Sequence, residues 1–215
     1  MTTKIRPIVM TGASGTGKST LLNRAQKEYP DAFAFSVSHT TRQPRDGEVH
    51  GVNYYFVDRA EIEKMIENDE FVENVEFGGN RYGTSKMAIE NVQKSGKICV
   101  LDLDLNGVRS LKDHHMNFKF ILVKAPSMEI LEQRLRGRGT ETEETIQNRL
   151  RHAREDNEAA EREPDLFDRV IINSQLDQAY EEFISAIREE LDQYEAFKRE
   201  TEAEQQPSAE PVSVN

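Results

Sequence analysis

The sequence has little of three things: cysteine, long apolar runs and basic charge. Cys99 is its only cysteine, so no internal disulfide can form. The residue lies in an apolar run, which is typical of a small buried hydrophobe, and we expect a reducing, cytoplasmic setting. No segment approaches the ~20 apolar residues of a membrane helix. The N-terminal apolar run is also too short for a signal peptide, so we expect a soluble protein.

Basic residues are outnumbered by acidic ones, 28 to 39, for a formal charge of −11. Phosphate backbones and anionic lipids repel a surface of this sign, which argues against a nucleic-acid or membrane-surface binder. Any phosphate chemistry must therefore use a local basic site. A chain of 215 residues fits one core, with room for an inserted subdomain, and buries that core without disulfides or structural metal.

Short apolar runs alternate with helical patterns along most of the chain. Strands are predicted at 8–10, 33–38, 98–101, 118–123 and 170–172, and helices at 19–28, 84–95, 127–136 and from 176 onward. This order predicts an α/β fold with a parallel sheet flanked by helices. Ligands of such sheets bind beyond the carboxyl ends of the strands.

Three segments differ from this pattern. Residues 42–82 are charged, aromatic and rich in turns, which indicates an inserted subdomain, with one helix capped by Asp58. Residues 138–163 are dominated by charge, with a capping pattern at Thr140 and Glu143, and we expect a mobile flap that buries little. Beyond Lys198 the sequence is acidic and contains Pro and Ser, which predicts disorder. Just after residues 42–82, Thr84 is the predicted N-cap of the helix at 84–95.

Residues 12–19 read Gly-Ala-Ser-Gly-Thr-Gly-Lys-Ser and satisfy the pattern G-x-x-x-x-G-K-[ST]. Glycines let the backbone wrap a phosphate so that successive N–H groups point inward, and the following helix adds its positive end. In this pattern Lys18 neutralises the β/γ-phosphate oxygens and the Ser19 hydroxyl ligates Mg²⁺. Because the loop lies between an apolar strand and a helix, it indicates nucleotide-phosphate binding rather than a turn with an incidental lysine.

The loop alone does not identify the reaction. Residues 104–107 match the Asp-x-x-Gly pattern of GTPases, but the sequence contains no Asn-Lys-x-Asp guanine motif. A GTPase switch is therefore disfavoured.

More specific motifs follow the phosphate loop. They are Ser36-Val-Ser-His-Thr-Thr-Arg-Gln-Pro-Arg-Asp-Gly-Glu48, Asn53-Tyr-Tyr-Phe56, Glu73, Tyr82-Gly-Thr84 and Asp102-x-Asp104. With these motifs the chain closely resembles the guanylate kinase family, from about Pro7 to Ile187, and the details are closer to eukaryotic members. The resemblance implies a P-loop NTPase fold and Mg²⁺-dependent transfer of the ATP γ-phosphate to GMP, with dGMP as a second acceptor and a monomeric enzyme.

The resemblance also implies a division of the chain. The guanylate kinase domain would span 1–198, with its core at 1–37, 85–126 and 164–198, a GMP-binding lobe at 38–84 and a lid at 127–163. The acidic tail at 199–215 lies outside the resemblance.

By the same resemblance, two sets of residues would bind GMP. Its phosphate would be held by Ser38, Arg42, Arg45, Tyr54 and Tyr82, and its base would be read by Glu73, Thr84 and Asp104. Arginine supplies the planar, bidentate donors that a dianionic phosphate needs. A carboxylate suits the adjacent N1–H and 2-amino donors of guanine. Without the family match, the arginines would be interpreted as surface charge and the tyrosines as core packing.

The remaining implied residues serve ATP, the metal and catalysis. ATP would contact Gly12, Ala13, Ser14, Gly15, Thr16, Gly17, Lys18, Ser19, Thr20, Arg134, Arg138 and Asn173. Catalysis would use Lys18, Arg45, Arg138 and Arg149, because arginines brought in by a lid stabilise the charge on the transferring oxygens. Ser19 and Asp102 would hold Mg²⁺. For Asp102 and Asp104 the alternative is solvation of a strand end.

Two other functions stay open at this stage. One is a non-catalytic guanylate-kinase-like binding module, which the intact phosphate loop and lid arginines disfavour. The other is a kinase for a different mononucleotide or a ribose bisphosphate, which the base-reading set disfavours.

Overall fold

The computed structural model describes residues 4–112, 114, 116–137, 139 and 142–205. Its helices are α1 (Lys18–Glu28), α2 (Arg59–Glu67), α3 (Lys86–Lys94), α4 (Leu105–Lys112), α5 (Met128–Arg136), α6 (Glu143–Arg162), α7 (Leu176–Ala186) and α8 (Arg188–Gln205), with a 3₁₀ turn at Pro164–Leu166. Its strands are β1 (Ile8–Thr11), β2 (Phe33–Phe35), β3 (His39–Thr40), β4 (Tyr55–Phe56), β5 (Phe71–Phe77), β6 (Asn80–Ser85), β7 (Ile98–Asp102), β8 (Lys119–Lys124) and β9 (Arg169–Ile172).

A five-stranded parallel sheet, in the order β2-β7-β1-β8-β9, forms the centre of the molecule. Successive side chains of a strand face opposite sides, so the short apolar runs supply two cores. Ile8 and Val100 pack on the side of α1, α7 and α8, whereas Val9 and Leu101 pack on the side of α3 and α4. The result is the three-layer α/β fold that the alternation of strands and helices predicted.

A second, four-stranded sheet in the order β4-β3-β6-β5 lies within residues 39–85. Strands β3 and β4 are parallel and the other pairs are antiparallel. The register of β5 against β6 shifts between Phe71 and Glu73, an irregularity that re-aims the following side chains. We call these four strands the small sheet.

Several predicted boundaries are confirmed. Helix α1 buries Leu21, Leu22 and Ala25, the face expected from their spacing. Asp58 caps α2 by accepting a hydrogen bond from the backbone N–H of Glu61 at 2.8 Å, and Ser127 caps α5.

The predicted cap of α3 is wrong by one residue. Ser85 accepts from the backbone N–H of Ala88, while the Thr84 hydroxyl instead donates to Glu73 at 2.6 Å. Both residues are suitable cap types, and only the tertiary partner of Thr84 separates them.

Helix α6 also differs from expectation, because it is not a weakly packed flap. It buries Ile146, Leu150 and Ala153, which at helical spacing pack with Leu131 and Leu135 of α5. Its cap is Thr142, whose hydroxyl accepts from the N–H of Thr145. Thr140, the predicted cap, lies outside the described residues.

The C-terminal helical pattern breaks at Ile187, between α7 and α8. Helix α8 then continues to Gln205, so the predicted disorder from residue 199 is wrong for 199–205, and 206–215 lie outside the described residues. A segment with few apolar residues can still form a helix when strong helix formers such as Glu, Ala, Lys and Arg dominate it, as they do in α8. Phe197 of α8 packs closely over Gly96, where a Cβ would lie 2.0 Å from its ring.

Among the described residues, none of the helices combines the length and the apolar character that crossing a bilayer requires.

Candidate active site

The phosphate loop lies between the end of β1 and the start of α1, as its sequence predicted. Gly12, Gly15 and Gly17 have positive φ angles of 124°, 93° and 104°, a region that other residues rarely adopt. A Cβ at position 12 would lie 2.2 Å from the carbonyl oxygen of Val123. Gly12 is thus required by its conformation and by close backbone packing, and Gly17 by its conformation and by the side chain of Asn173. The loop leaves the N-terminus of α1 open to an anion.

Lys18 and Asp102 approach each other across the mouth of this loop. The Lys18 ammonium donates to the carbonyl of Gly12 at 2.5 Å and lies 3.6 Å from the Asp102 carboxylate. Burial in the cleft raises the pKa of Asp102, and Lys18 acts in the opposite direction. Ser19 and Thr20 line the same cavity of about 250 Å³ together with Asp102.

The back of the phosphate loop is packed by three elements. Leu131 and Leu135 of α5 lie against Gly15, and β8 lies against Gly12. The buried side-chain amide of Asn173, just after β9, donates to the carbonyl of Thr16 at 2.8 Å. Arg134 in turn donates to the backbone carbonyl of Asn173 at 2.8 Å. These contacts join the loop to α5 and to the end of the parallel sheet.

On the small sheet, the predicted base-reading residues lie close together. Thr84, which is 1% exposed, donates to Glu73 at 2.6 Å, and its hydroxyl is 3.5 Å from that of Ser38. Burial raises the pKa of Glu73, hydrogen bonds from Thr84 lower it, and the nearby charge of Asp104 raises it. The Asp104 carboxylate also accepts from the N–H of Gly107 at 2.9 Å, so it caps α4 at the same time.

The predicted phosphate-holding residues form a second group on the small sheet. The Arg42 guanidinium pairs with Glu48 at 2.8 Å and lies 5.4 Å from the Tyr54 ring centroid. The rings of Tyr54 and Tyr82 meet edge to face at 6.2 Å. Glu48 also accepts from the backbone N–H of Arg45, whose side chain is exposed. The Arg42 pair holds the pKa of Glu48 below its usual range.

Of the three arginines of the predicted lid, Arg134, Arg138 and Arg149, the two that the structure describes do not form one cluster. Arg149 lines a cavity of about 590 Å³ that runs from the phosphate loop along α6. Arg134 faces Asn173, as described above, and Arg138 lies outside the described residues. The cavity wall includes Gly12, Ala13, Ser14, Lys18, Asp102, Asp104, Asn106, Arg149, His152 and Asp156.

Two residues of the site had no role in the sequence analysis. Glu48 is the last residue of a motif, and its spacing from Arg42 and Arg45 could have indicated that it is their shared acceptor. Asp156 lies on the buried side of α6, and burial raises its pKa to about 6 while Lys18 lowers it. No sequence signal separates Asp156 from the solvated acids around it.

Within the described ranges, no group of three or more His, Cys, Asp or Glu residues is placed to hold a metal ion. Ser19 and Asp102 nevertheless supply oxygen donors beside the phosphate loop. This sparse donor set fits Mg²⁺, which keeps several waters and is bound through one or two protein oxygens plus substrate phosphates.

Comparisons with known proteins agree with this geometry. A family model described as guanylate kinase matches residues 4–190. The chain is 53% identical over 186 residues to the guanylate kinase of Homo sapiens, covering 86% of this chain and 94% of that protein. It is 46% identical over 182 residues to the guanylate kinase of Schizosaccharomyces pombe, covering 85% and 90%.

A solved structure adds the fold to this comparison. The crystal structure of guanylate kinase from Anaplasma phagocytophilum matches with a TM-score of 0.57 and 28% identity, over 86% of this chain and 85% of that one. The resemblance noted in the motifs, including that to eukaryotic members, is confirmed by these matches. Sequence, fold and motif order therefore agree, and the chain belongs to the guanylate kinase family.

Proposed function

We propose that this chain is a guanylate kinase that transfers the γ-phosphate of MgATP to GMP, giving ADP and GDP. The observation that carries the proposal is the pairing of two half-sites. An intact phosphate loop lies at the end of β1, and a hydrogen-bonded Glu73–Thr84 pair is close enough to Asp104 for its charge to act on Glu73. One half suits a nucleoside triphosphate and the other suits guanine.

The phosphate loop would hold the donor. Its backbone N–H groups and the N-terminus of α1 would bind the β-phosphate, and Lys18 would exchange the Gly12 carbonyl for phosphate oxygens. The contact of Lys18 with Gly12 and Asp102 keeps its ammonium at the loop mouth before ATP arrives. Ser19 and Asp102 are the residues that would hold Mg²⁺, which supplies charge neutralisation across the β- and γ-phosphates.

The small sheet would hold the acceptor. Arg42 and Arg45, with the Ser38, Tyr54 and Tyr82 hydroxyls, would bind the GMP phosphate by charge-assisted hydrogen bonds. Glu73 would accept from guanine N1–H and the 2-amino group, with Thr84 and Asp104 beside it. Adenine carries an acceptor where guanine has N1–H, so AMP would place an acceptor against the half-buried Glu73 carboxylate and give it no donor in that position.

Catalysis would rest on positioning and on charge neutralisation. In-line transfer needs no covalent enzyme intermediate, because Lys18, Arg45, Arg138 and Arg149 would balance the charge spread over the transferring oxygens. Closure of the lid would bring Arg138 and Arg149 toward the phosphates and exclude water, so that GMP rather than water takes the phosphoryl group. We place the division into core, lobe and lid at the sequence boundaries given above.

The test is ADP release in a coupled assay, with MgATP and each of GMP, dGMP, AMP, CMP and UMP. We expect fast turnover with GMP, slower turnover with dGMP and little with the others. ATP hydrolysis without GMP should be far slower than transfer. If folded protein binds GMP but phosphorylates none of the five monophosphates, the proposal is contradicted and a non-catalytic binding module is favoured. The intact phosphate loop argues against such a module.

We also propose that the enzyme is monomeric and cytoplasmic. A chain of 24.6 kDa should elute at its own mass in size-exclusion chromatography with light scattering, at concentrations where it is active.

A further inference from the structure

The side-chain amide of Asn173 contacts the phosphate loop, although Asn173 is not among the residues that line the two cavities beside the loop. Its Nδ2 donates to the carbonyl oxygen of Thr16 at 2.8 Å, and Asn173 is 6% exposed. A carbonyl oxygen only accepts, so the amide must present its nitrogen to it. The family resemblance implied an ATP contact for Asn173, whereas in this structure its amide donor is directed to the protein backbone.

This hydrogen bond fixes the orientation of one peptide plane of the loop. The carbonyl of Thr16 and the N–H of Gly17 belong to the same planar, trans peptide unit, so they point in opposite directions. A carbonyl held outward by Asn173 therefore aims the N–H of Gly17 toward the inside of the loop. Turning this plane over would instead present a carbonyl oxygen to a phosphate, which is repulsive.

The preceding turn of the loop is fixed in the same way. The hydroxyl and the N–H of Thr16 both donate to the carbonyl of Ala13, at 2.9 and 3.3 Å. The Ala13 carbonyl thus accepts two hydrogen bonds from within the loop. Together with the contact from Asn173, these hydrogen bonds fix two carbonyl groups of the loop.

Asn173 is itself held in place by the fold. Its backbone N–H donates to the carbonyl of Lys124 at 2.8 Å, and its carbonyl accepts from Arg134. A Cβ at Gly17 would lie 2.2 Å from its Nδ2, so the amide occupies the space that a larger residue at 17 would need. The backbone of Asn173 is thus anchored to the parallel sheet and to α5, while its side-chain amide holds the Thr16 carbonyl.

We propose that Asn173 is a positioning residue, which orients the phosphate cradle by holding the Thr16 carbonyl outward. The inference rests on the proposed function of the loop as the ATP phosphate site and specifies how that site is kept ready. It predicts that loss of the amide weakens binding of the triphosphate group itself, independently of the adenine.

The test compares ligands with and without a base. In Asn173→Ala, the affinities for MgATP and for magnesium tripolyphosphate, measured by calorimetry, should fall by the same factor, about tenfold for the loss of one neutral hydrogen bond. The affinity for GMP should be unchanged, which also shows that the variant is folded. Asn91→Ala is the matched control, because Asn91 is exposed on α3 and its variant should bind all three ligands normally. If Asn173→Ala proves unstable, Asn173→Thr removes the amide while filling more of the space.

Two results would overturn the inference, and a third would separate it from the proposed function. A loss for MgATP with unchanged tripolyphosphate affinity would assign Asn173 to the adenine and overturn the inference. Unchanged affinity for both ligands would overturn it as well. Equal losses in a protein that never phosphorylates GMP would support the positioning role and contradict the proposed function, so the two failures are distinguishable.

Discussion

The two halves of the candidate site are built from different parts of the chain. The phosphate loop is shaped by backbone, with glycines at positive φ and carbonyls fixed by Thr16 and Asn173. The GMP half is shaped by side chains, with Arg42 held by Glu48 and Glu73 held by Thr84. The first lies against the buried parallel sheet, and the second lies on a small sheet with short strands.

This difference indicates how each half meets its ligand. A backbone cradle is oriented before binding and loses little conformational entropy when the phosphate arrives. In the proposed site the paired Arg42 and Glu48 would have to rearrange, because GMP would compete with Glu48 for Arg42. We therefore expect loop mutations to act on turnover or donor binding and small-sheet mutations to act on KM for GMP.

The largest effect is expected for Lys18→Ala. The ammonium is aimed at charge that develops during transfer, so kcat should fall by about 10²- to 10³-fold. The fold should survive, because Lys18 is the first residue of α1 and is not part of the apolar core. Steady-state kinetics and thermal unfolding measure the two effects. Lys27→Ala, an exposed lysine of the same helix, should behave as wild type, and near-normal turnover of Lys18→Ala would refute the loop assignment.

Glu73→Ala should act on the acceptor alone. Loss of hydrogen bonds to a buried carboxylate should raise KM for GMP by about 10- to 100-fold and reduce the discrimination against AMP, with little change in KM for ATP. Glu76→Ala, on the exposed part of the same strand, provides the control. An unchanged ratio of GMP to AMP activity would mean that guanine is read by other residues.

Glu73 should also determine how KM for GMP depends on pH. Burial raises the pKa of Glu73, and guanine binding needs its ionised form. KM for GMP should therefore begin to rise, as pH is lowered, at a higher pH than an ordinary glutamate would cause. In Glu73→Gln this rise should be absent, and a profile identical to wild type would exclude Glu73 as its origin.

A smaller effect is expected for Glu48→Gln. Glutamine can still accept from the Arg45 N–H but no longer holds the Arg42 guanidinium by charge. The arginines then lose their fixed orientation, and KM for GMP should rise by about two- to fivefold, since near-surface ion pairs are weak. A decrease in KM would show instead that competition by Glu48 outweighs its orienting effect.

The smallest effect is expected for Asp58→Ala, which removes the cap of α2. Such caps stabilise by about 1 kcal/mol. Because α2 packs on β5 of the small sheet, hydrogen exchange should increase in α2 and β5 and stay unchanged in β1. Equal increases in both sheets would show that the two halves unfold as one unit, contrary to the comparison above.

The sequence predicted the elements of the parallel sheet well, because each strand there is a short apolar run. The phosphate loop was predicted from the same local signals. The small sheet was not predicted in its strands, since β3 and β4 have only two residues each and β5 contains a register shift at Glu73. Two-residue strands leave no periodicity to detect.

Other features depended on partners distant in sequence. Thr84 could not be separated from Ser85 as a helix cap without its contact to Glu73, and the role of Asn173 depends on a residue 157 positions away. The buried face of α6 was masked by charge, since three apolar residues among many acids carry the packing against α5. Long-range contacts of this kind leave no local pattern in the sequence.

The contact between Phe197 and Gly96 has a consequence for how this chain can vary. A Cβ at 96 would lie 2.0 Å from the ring, so the two positions are coupled through space although 100 residues separate them. A substitution at 96 requires either that the ring of Phe197 moves away or that position 197 carries a smaller side chain in the same genetic background. Among homologous chains with a helix corresponding to α8, these two positions should therefore covary, and where that helix is lacking, position 96 should be released from this constraint and kept as glycine only by its positive φ of 71°.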